Sequence, residues 1–344
     1  MLKIGVIGCG AIGREHIRRF THMIPNAKVV GCSDYYPEAA RDTADRYGIA
    51  AVYESGEELI AASEVEAVVI TSSDDSHAGY VLAALRQGKQ VFCEKPLAQS
   101  AADCEQIIEE ELKHGRRLVQ AGFMRRYDRG YAEMKRVIDS GELGAPLMIH
   151  ACHRNVFQTE GFQTEMGITN VAIHELDICR WLLDDEYKNA QVLKVRQSSL
   201  STKGYDNPQI VLLETRNGSR IDVEIQVSEA YGYDIQCQVV CEKGTLNLPD
   251  PSAVTKRTEA SRSYPLLTDW ADRFIEAYDI ELQEWVNAAE GGELTGPSAW
   301  DGYAACVAAD ALNRSRGTGV FLPVEMITKP KLYKTRQEEC GNAG

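Results

Sequence analysis

The sequence predicts an α/β protein of two domains: a doubly wound parallel sheet, followed by an α+β domain with a large, open, mostly antiparallel sheet. Three observations predict this. The chain has 344 residues, more than a single hydrophobic core usually serves. Strand-like and helix-like segments alternate in the first third of the chain, which is typical of a parallel sheet wound by helices. Farther on, strand-like runs follow one another with few helical breaks, which favours antiparallel pairing.

Composition restricts the possible functions. The apolar content of 44% and charged content of 26% are ordinary for a soluble globular protein. A net charge of −14 argues against nucleic acid and anionic membranes as partners. No apolar run is long enough to span a membrane, and no signal-peptide pattern precedes the first strand. The ten cysteines form no C-x-x-C motif, so we expect free thiols and a cytoplasmic protein.

The chain begins with an apolar run over residues 2–7 that leads into Gly8-Cys9-Gly10-Ala11-Ile12-Gly13 and then into a helix-like segment. A dinucleotide-binding βαβ unit requires this order of strand, G-x-G-x-x-G and helix. Gly8 allows a tight turn, Gly10 lets a pyrophosphate approach the backbone, and Gly13 lets the helix pack closely on the strand. The N–H groups at the start of the helix would face the phosphates.

The second strand-like run, residues 28–33, ends in Asp34. In the dinucleotide-binding pattern an acidic residue lies about 20 residues beyond the glycines and accepts hydrogen bonds from the ribose hydroxyls. It would also repel a 2′-phosphate. Tyr35 and Tyr36 follow, with no arginine beside them. The sequence therefore predicts a Rossmann domain that binds NAD rather than NADP, and the alternative is a βαβ unit that binds no nucleotide.

The other elements of the first domain are indicated by turn and cap residues. Residues 37–47 read as a helix, with Pro37 in its first turn and Gly48 after its end. A buried strand, a helix stopped by Gly88, a strand that ends in Glu94-Lys95-Pro96, a helix capped by Ser100 and a last strand follow. Their predicted ranges are 67–71, 76–87, 90–93, 100–114 and 118–122.

The second domain is predicted to contain both helices and consecutive strands. The predicted helices cover 131–140, 170–183, 270–289 and 298–314. The predicted strands cover 147–154, 191–199, 209–214, 220–227 and 234–240. We divide the chain into a domain over 1–122, a second domain over 123–334 and a polar tail over 335–344. An open sheet buries a face by association, so we expect a homo-oligomer.

Lys95 is the first candidate for chemistry. Ligands of doubly wound sheets bind outside the carboxyl ends of the strands, and Lys95 follows such an end. An ammonium group there could hold a substrate oxygen and favour its alkoxide. The alternative is an ordinary solvated lysine in a loop.

The predicted helix over 170–183 is the second candidate region. Asn170, His174, Asp177 and Trp181 recur at helical spacing and would share one face. A histidine is well suited to proton transfer near neutral pH, although a structural histidine is the alternative.

The strand over 147–154 is the third region. His153 and Asn155 are two residues apart and point to the same face, whereas His150 points to the other. This geometry, together with the lack of a thiolate pair, argues against a zinc site, and we expect no metal. Arg125 and Tyr233 are further polar candidates, each with a surface role as the alternative.

Motifs in four places resemble the glucose–fructose oxidoreductase / inositol dehydrogenase family. They are the glycine motif, Glu94-Lys95-Pro96, Gly122-Phe123-Met124-Arg125-Arg126-Tyr127 and Ile173-His174-Glu175-Leu176-Asp177. The runs over 153–155, 231–234 and 300–303 resemble the subgroup of bacterial myo-inositol 2-dehydrogenases. The resemblance extends from residue 1 to about residue 334.

The resemblance implies an enzyme that uses NAD to oxidise a secondary hydroxyl of an inositol to the inosose, with the hydride passing to nicotinamide C4. Lys95 would polarise the hydroxyl and His174 would take its proton. A small polyol substrate and a homotetramer are implied as well. The implied cofactor contacts are Gly8, Gly10, Ala11, Ile12, Gly13, Asp34, Ser72, His77, Glu94 and Lys95. The implied substrate contacts are Arg125, His153, Asn155, Asn170, His174 and Tyr233.

One departure from the subgroup leaves the substrate open. The subgroup usually has a carboxylate four residues before the histidine, where this chain has Asn170. With Lys95 and His174 it is a predicted catalytic residue, because an amide can orient the imidazole, but it does not stabilise the charged form of that ring. The substrate could be myo-, scyllo- or chiro-inositol, or a pyranose. An NAD-using glycosidase and a non-enzymatic NAD-sensing regulator are the alternatives from other classes.

Overall fold

The computed structural model describes residues 1–156, 161–201, 204–251 and 254–334. The chain divides into two compact units. The first unit contains Met1–Phe123, Tyr278–Val307 and the described residues 326–334, and the second contains Met124–Ala277 and Ala308–Glu325. The predicted tail over 335–344 lies outside the described residues.

The first unit is built on a six-stranded parallel sheet. Its strands are β1 (Leu2–Ile7), β2 (Ala27–Ser33), β3 (Ala51–Val52), β4 (Ala67–Ile70), β5 (Gln90–Glu94) and β6 (Val119–Gly122). The connecting helices are α1 (Ala11–His22), α2 (Pro37–Tyr47), α3 (Gly56–Ala61), α4 (His77–Arg86) and α5 (Ala101–Leu112). The strand order is β3-β2-β1-β4-β5-β6, so the direction of winding reverses between β1 and β4. This confirms the predicted doubly wound sheet, and such a reversal is where ligands of this architecture bind.

Local sequence explains where these helices end. Gly48 ends α2 in the left-handed conformation, with φ of 67°, which a residue without a Cβ adopts at low cost. The hydroxyl of Ser100 caps α5 by accepting a hydrogen bond from the N–H of Asp103.

A helix from late in the chain completes the core of the first unit. This helix, α9, covers Ile275–Gly291, and its residues from 278 onward belong to the first unit. Trp285 is fully buried, with its ring centroid 5.7 Å from that of Phe92 and 6.1 Å from that of Phe20. Farther along, the carbonyl of Pro297 accepts a hydrogen bond from the N–H of Ala121, next to the edge strand β6. The first unit is therefore not a continuous segment that ends at residue 122, as predicted. An apolar face of α9, from later in the chain, covers its sheet.

The second unit contains a seven-stranded sheet in the order β12-β11-β7-β10-β9-β8-β15. These strands are β7 (Pro146–Arg154), β8 (Tyr187–Lys194), β9 (Gln209–Thr215), β10 (Arg220–Gln226), β11 (Asp234–Cys241), β12 (Gly244–Asn247) and β15 (Leu322–Pro323). A separate hairpin consists of β13 (Lys256–Thr258) and β14 (Ser261–Ser263). The pair β7–β10 is parallel and the other neighbours are antiparallel, which confirms the predicted mostly antiparallel sheet.

The helices of the second unit include α6 (Arg129–Ser140), α7 (Ile173–Leu183), the short α8 (Trp270–Arg273) and the last part of α10 (Ala299–Ser315). The strand predicted over 191–199 begins and ends earlier, as β8, because the fully buried Tyr187 starts it. The hydroxyl of Tyr187 donates to the carbonyl of Leu176 at 2.7 Å.

The helix predicted over 170–183 has two parts. Gly167–Ala172 is a π-helix, and the α-helix α7 begins at Ile173. A Cβ on Gly167 would lie 2.7 Å from both the Nε2 of Gln209 and the hydroxyl of Tyr205, so glycine permits this close approach. The prediction placed Asn170 and His174 one regular α-helical turn apart. A π-helical turn holds an extra residue, so this spacing does not apply to them.

Among the described residues, no helix is both long enough and apolar enough to cross a membrane.

Candidate active site

A cleft of about 940 Å³ lies in the first unit, at the carboxyl ends of β1, β2 and β4. The predicted cofactor residues that line it are Gly8, Gly10, Asp34 and Ser72. A Cβ on Gly8 would lie 2.5 Å from the backbone of Thr71, and one on Gly13 would lie 2.0 Å from the Gly8 carbonyl oxygen. By contrast, a Cβ on Gly10 would meet no heavy atom within 4 Å. Gly8 and Gly13 therefore pack closely against neighbouring backbone atoms, whereas the space next to Gly10 is open. This arrangement fits a bound pyrophosphate.

Asp34 has a second function in addition to lining the cleft. Its Oδ2 accepts a hydrogen bond from the N–H of Cys9 at 2.6 Å, and its Oδ1 accepts one from the N–H of Tyr36 at 2.8 Å. The carboxylate thus fixes the conformation of the glycine loop. Arg14, to which the sequence analysis gave no role, also lines the cleft and brings a positive charge to it. Ala11 and Ile12 form the first turn of α1, directly after the loop.

Two predicted cofactor contacts have partners within the protein. The ring nitrogens of His77 lie 2.7 Å from the carbonyl oxygen of Pro96 and 3.1 Å from that of Ser72. His77 therefore connects the loop after β4 to the loop after β5.

Glu94 is buried, and its Oε1 lies 2.8 Å from the Nε2 of His16. Its Oε2 accepts a hydrogen bond from the N–H of Lys95 at 3.2 Å. Burial alone would raise the pKa of Glu94, but the hydrogen bond and charge of His16 outweigh it and lower that pKa. Glu94 thus fixes the backbone at the half-buried Lys95.

In the second unit, His153 on β7, Glu175 on α7 and Arg125 in the turn Met124–Tyr127 form a buried cluster. The Nδ1 of His153 lies 2.9 Å from the Oε2 of Glu175 and 3.1 Å from the Nη2 of Arg125. The Nη1 of Arg125 donates to the Oε1 of Glu175. Burial alone would raise the pKa of Glu175, but Arg125 and His153 outweigh it and lower that pKa.

Arg125 was predicted to bind substrate hydroxyls, and the structure gives it a different environment. Its side chain is 1% exposed, and its guanidinium carbon lies 5.5 Å above the ring of Phe274. With Glu175 and His153 as its partners, Arg125 supports His153 from within the protein.

Three further residues were predicted to bind substrate: His174, Tyr233 and Asn155. The His174 ring is 6.2 Å from the His153 ring, and the Tyr233 ring meets the His153 ring edge-on at 5.9 Å. Burial raises the pKa of Tyr233 to about 12, so its hydroxyl is neutral near pH 7. The Oδ1 of Asn155 is buried and has no hydrogen-bond partner among the described residues. A buried polar atom of this kind fits a polar ligand that would supply the partner.

Asn170, Asp177 and Trp181 were predicted to share one helix face with His174, but they have different partners. The hydroxyl of Thr169 donates to the Oδ1 of Asn170 at 2.7 Å. Asp177 forms a bidentate ion pair with Arg126. The guanidinium carbon of Arg126 lies 5.9 Å from the ring centroid of Trp181. Asp177 and Trp181 thus contact Arg126. The predicted shared face of Asn170, His174, Asp177 and Trp181 is therefore not a single functional surface.

His150 lies on the opposite face of β7, where its Nδ1 is 2.5 Å from the Oδ2 of Asp222. Within the part of the chain that the structure describes, no group of three histidine, cysteine or acidic side chains is arranged to hold a metal ion.

Glu175 is the site residue that the sequence analysis missed. It was noted as part of a motif, beside His174, but received no role. Neighbouring helical residues point in different directions, so sequence spacing gave no signal that Glu175 would meet β7.

Two family models match this chain. One describes an oxidoreductase family with an NAD-binding Rossmann fold and matches residues 2–123. The other describes the C-terminal alpha/beta domain of that oxidoreductase family and matches residues 135–326. The chain belongs to this oxidoreductase family. The predicted family, fold class and NAD cofactor are therefore confirmed.

Members of the oxidoreductase family resemble this chain over nearly its full length. The inositol 2-dehydrogenase of Burkholderia cenocepacia is 52% identical over 334 residues, which are 97% of this chain and 99% of that protein. An inositol 2-dehydrogenase of Klebsiella pneumoniae is 53% identical over the same shares. The crystal structure of a myo-inositol dehydrogenase from Lactobacillus casei, in complex with NAD(H) and myo-inositol, has a TM-score of 0.94 and 37% identity. That match covers 97% of this chain and all of the Lactobacillus chain.

The position of Asp34 predicts a strong preference for NAD over NADP. A 2′-phosphate beside this carboxylate meets repulsion, so kcat/KM should favour NAD on the order of a hundredfold or more. Asp34→Ser should narrow this ratio. It should also raise the Kd for NAD, because it removes the acceptor of the Cys9 N–H. Titration of both cofactors, followed by quenching of protein fluorescence, measures the Kd values. Equal efficiency of the unmodified protein with both cofactors would contradict the prediction.

Proposed function

We propose that this chain is an NAD-dependent dehydrogenase that oxidises a secondary hydroxyl of an inositol to the corresponding ketone. The observation that carries the proposal is the 52% identity to an inositol 2-dehydrogenase over 97% of the chain. The likeness to a myo-inositol dehydrogenase structure, at 37% identity, makes myo-inositol the first substrate to test.

Bound NAD would accept a hydride from the carbon that carries the hydroxyl. The glycine loop and the N-terminus of α1 would hold its pyrophosphate, and Asp34 its ribose. The chain's own side chains must then hold the polyol, stabilise the developing alkoxide and take the hydroxyl proton.

Lys95 is our candidate for stabilising the alkoxide. It follows β5 at the carboxyl edge of the parallel sheet, and its backbone N–H is held by Glu94. His77 holds the next carbonyl, that of Pro96. An ammonium group kept in a fixed position stabilises developing negative charge without reorganisation during the reaction.

His174 is our candidate for taking the proton. It is 8% exposed and lies in the first turn of α7, beside the His153 ring. His153, Asn155 and Tyr233 are proposed to bind other hydroxyls of the ring. The buried Oδ1 of Asn155 would accept a hydrogen bond from one of them.

The alternative substrates and activities are separated by product analysis. A pyranose dehydrogenase would form NADH from a sugar and not from inositols. A glycosidase would regenerate its cofactor and give no net NADH, and a regulator would give none with any polyol. Net NADH with myo-, scyllo- or chiro-inositol, followed at 340 nm, would support the proposal and identify the isomer.

A homotetramer and a cytoplasmic location are further parts of the proposal. On β9 and β10, buried residues alternate with half-buried ones, so one face of the seven-stranded sheet is left partly exposed. That face carries Met148, which is 40% exposed, and we propose that it associates with other copies. Nine cysteines within the described ranges are free and buried, as in a protein of a reducing compartment. Light scattering should give a mass about four times 38.1 kDa, and a monomeric mass would contradict the tetramer.

Removal of Lys95 or His174 should impair turnover with little effect on NAD binding. Lys95→Ala and His174→Ala should each lower kcat with myo-inositol by about 100- to 1,000-fold, because each group acts on charge or a proton in the transition state. The Kd for NAD should change by less than about threefold. Lys28→Ala removes an exposed lysine of β2 and serves as the control. Turnover near that of the unmodified protein in either variant would remove that residue from the proposed chemistry.

Asn170→Asp should change the pH dependence of the reaction. Oxidation requires neutral His174, and a carboxylate at position 170 would stabilise the protonated imidazole. The acid limb of kcat/KM should therefore lie at higher pH in Asn170→Asp than in the unmodified protein. The variant should have the stronger base and a higher turnover at alkaline pH. Superimposable acid limbs would show that position 170 does not tune His174.

A further inference from the structure

The contacts of Glu175 decide where the hydrogen of His153 resides. The buried guanidinium of Arg125 donates to Oε1 of Glu175 and keeps that carboxylate ionised, and an ionised carboxylate only accepts hydrogen bonds. Its Oε2 lies 2.9 Å from the Nδ1 of His153. If Nδ1 carried a lone pair, two lone pairs would face each other at this distance. The Nη2 of Arg125 is also a donor, but it lies farther from Nδ1, at 3.1 Å, than the carboxylate oxygen does. The closer and charged acceptor therefore decides, and Nδ1 carries the hydrogen and donates it to Glu175.

Arg125 decides how strongly Glu175 attracts a second proton to His153. Its guanidinium pairs with the Oε1 of Glu175, and its Nη2 lies 3.1 Å from the same Nδ1. The imidazole thus faces one negative and one positive charge at similar distances. Because the two charges largely cancel, the carboxylate orients the ring without the stabilisation of the imidazolium that a lone carboxylate would give.

We propose that the buried Arg125–Glu175 pair holds His153 neutral, with its hydrogen on Nδ1 and its lone pair on Nε2. This inference rests on the proposed function, in which His153 binds a hydroxyl of the polyol. In this state the Nε2 of His153 accepts a hydrogen bond from that hydroxyl. Arg125 and Glu175 are positioning residues, because they act through His153.

Several of the other groups around His153 are apolar or are kept neutral by burial. In the sheet, His153 is paired with the apolar residues Ile225 and Ile235. His174 is the titratable ring beside it, and Tyr233 meets it edge-on. Further out, burial raises the pKa values of several groups near Glu175 or Arg125 and keeps them neutral near pH 7. They are Tyr131, Cys179 and Cys237.

Glu175 also bears on the departure from the subgroup pattern at Asn170. The subgroup pattern leads one to expect a carboxylate beside His174, and this chain has an amide there. The buried carboxylate described here contacts the neighbouring ring, His153, and its charge is offset by Arg125.

The test compares the pH dependence of kcat/KM for NAD and myo-inositol in two variants. Arg125→Met leaves the charge of Glu175 uncompensated and favours the imidazolium. Its acid limb should move to higher pH by about one unit. Glu175→Gln leaves Arg125 beside the ring, so its acid limb should move to lower pH by about the same amount. Its kcat should also fall about tenfold or more, because an amide can donate to Nδ1 and reverse the tautomer.

A control separates this effect from a general loss of an ion pair. Arg180 of α7 donates to both carboxylate oxygens of Glu186, at 2.7 and 2.9 Å, which is a second ion pair of this unit. Glu186→Gln should leave the acid limb where it is. Shifts in the same direction for Arg125→Met and Glu175→Gln, or no shift in folded variants, would overturn the inference.

A spectroscopic measurement keeps the inference testable if these variants do not fold. The chain has seven histidines, so ¹⁵N-histidine labelling gives a simple spectrum, and His153→Gln identifies the signal of His153. A neutral ring protonated on Nδ1 is expected at the pH of activity. The other tautomer, or an imidazolium, would overturn the inference. If the unmodified enzyme makes no NADH from any inositol, the proposed function fails, and the spectrum still decides the state of His153.

Discussion

The second unit depends on the compensation of one buried charge, that of Glu175. A carboxylate excluded from water costs several kcal/mol unless its oxygens find donors and an opposite charge. Arg125 and His153 supply both. Since these residues lie on a turn, a strand and a helix that are far apart in sequence, their pairing fixes how α7 lies on β7. The orientation of the His153 ring follows from that packing.

The fold was predictable because its signals are local. The glycine motif, the helix stop at Gly48 and the cap at Ser100 each act within a few residues, and the structure has a helix or turn at each. The packing of α9 on the first sheet was not predictable in this way. An apolar helix face shows that it will be buried, but it does not show which of two sheets will cover it. Only the contacts of Trp285 decide that question.

The sequence allowed us to predict which residues belong to the site. It was less informative about the hydrogen-bond partners of those residues. Asp34 was identified from its distance to the glycines, but its bonds to the N–H groups of Cys9 and Tyr36 depend on the folded loop. Arg125 was expected from the family resemblance to bind substrate hydroxyls, and its buried pairing with Glu175 could not be read from the sequence. The π-helix before α7 depends on a close approach at Gly167 that sequence periodicity does not reveal.

The composition of the first unit has a consequence for synthesis on the ribosome. Its parallel sheet is complete once residue 123 has been made, but the aromatic rings of Phe20 and Phe92 then lack the cover that Trp285 gives them. More than 150 further residues must emerge before α9 is available. During that interval the nascent chain exposes an apolar face to water. This chain order therefore delays the final burial of the Phe20 and Phe92 rings until long after the strands of their own sheet have been made.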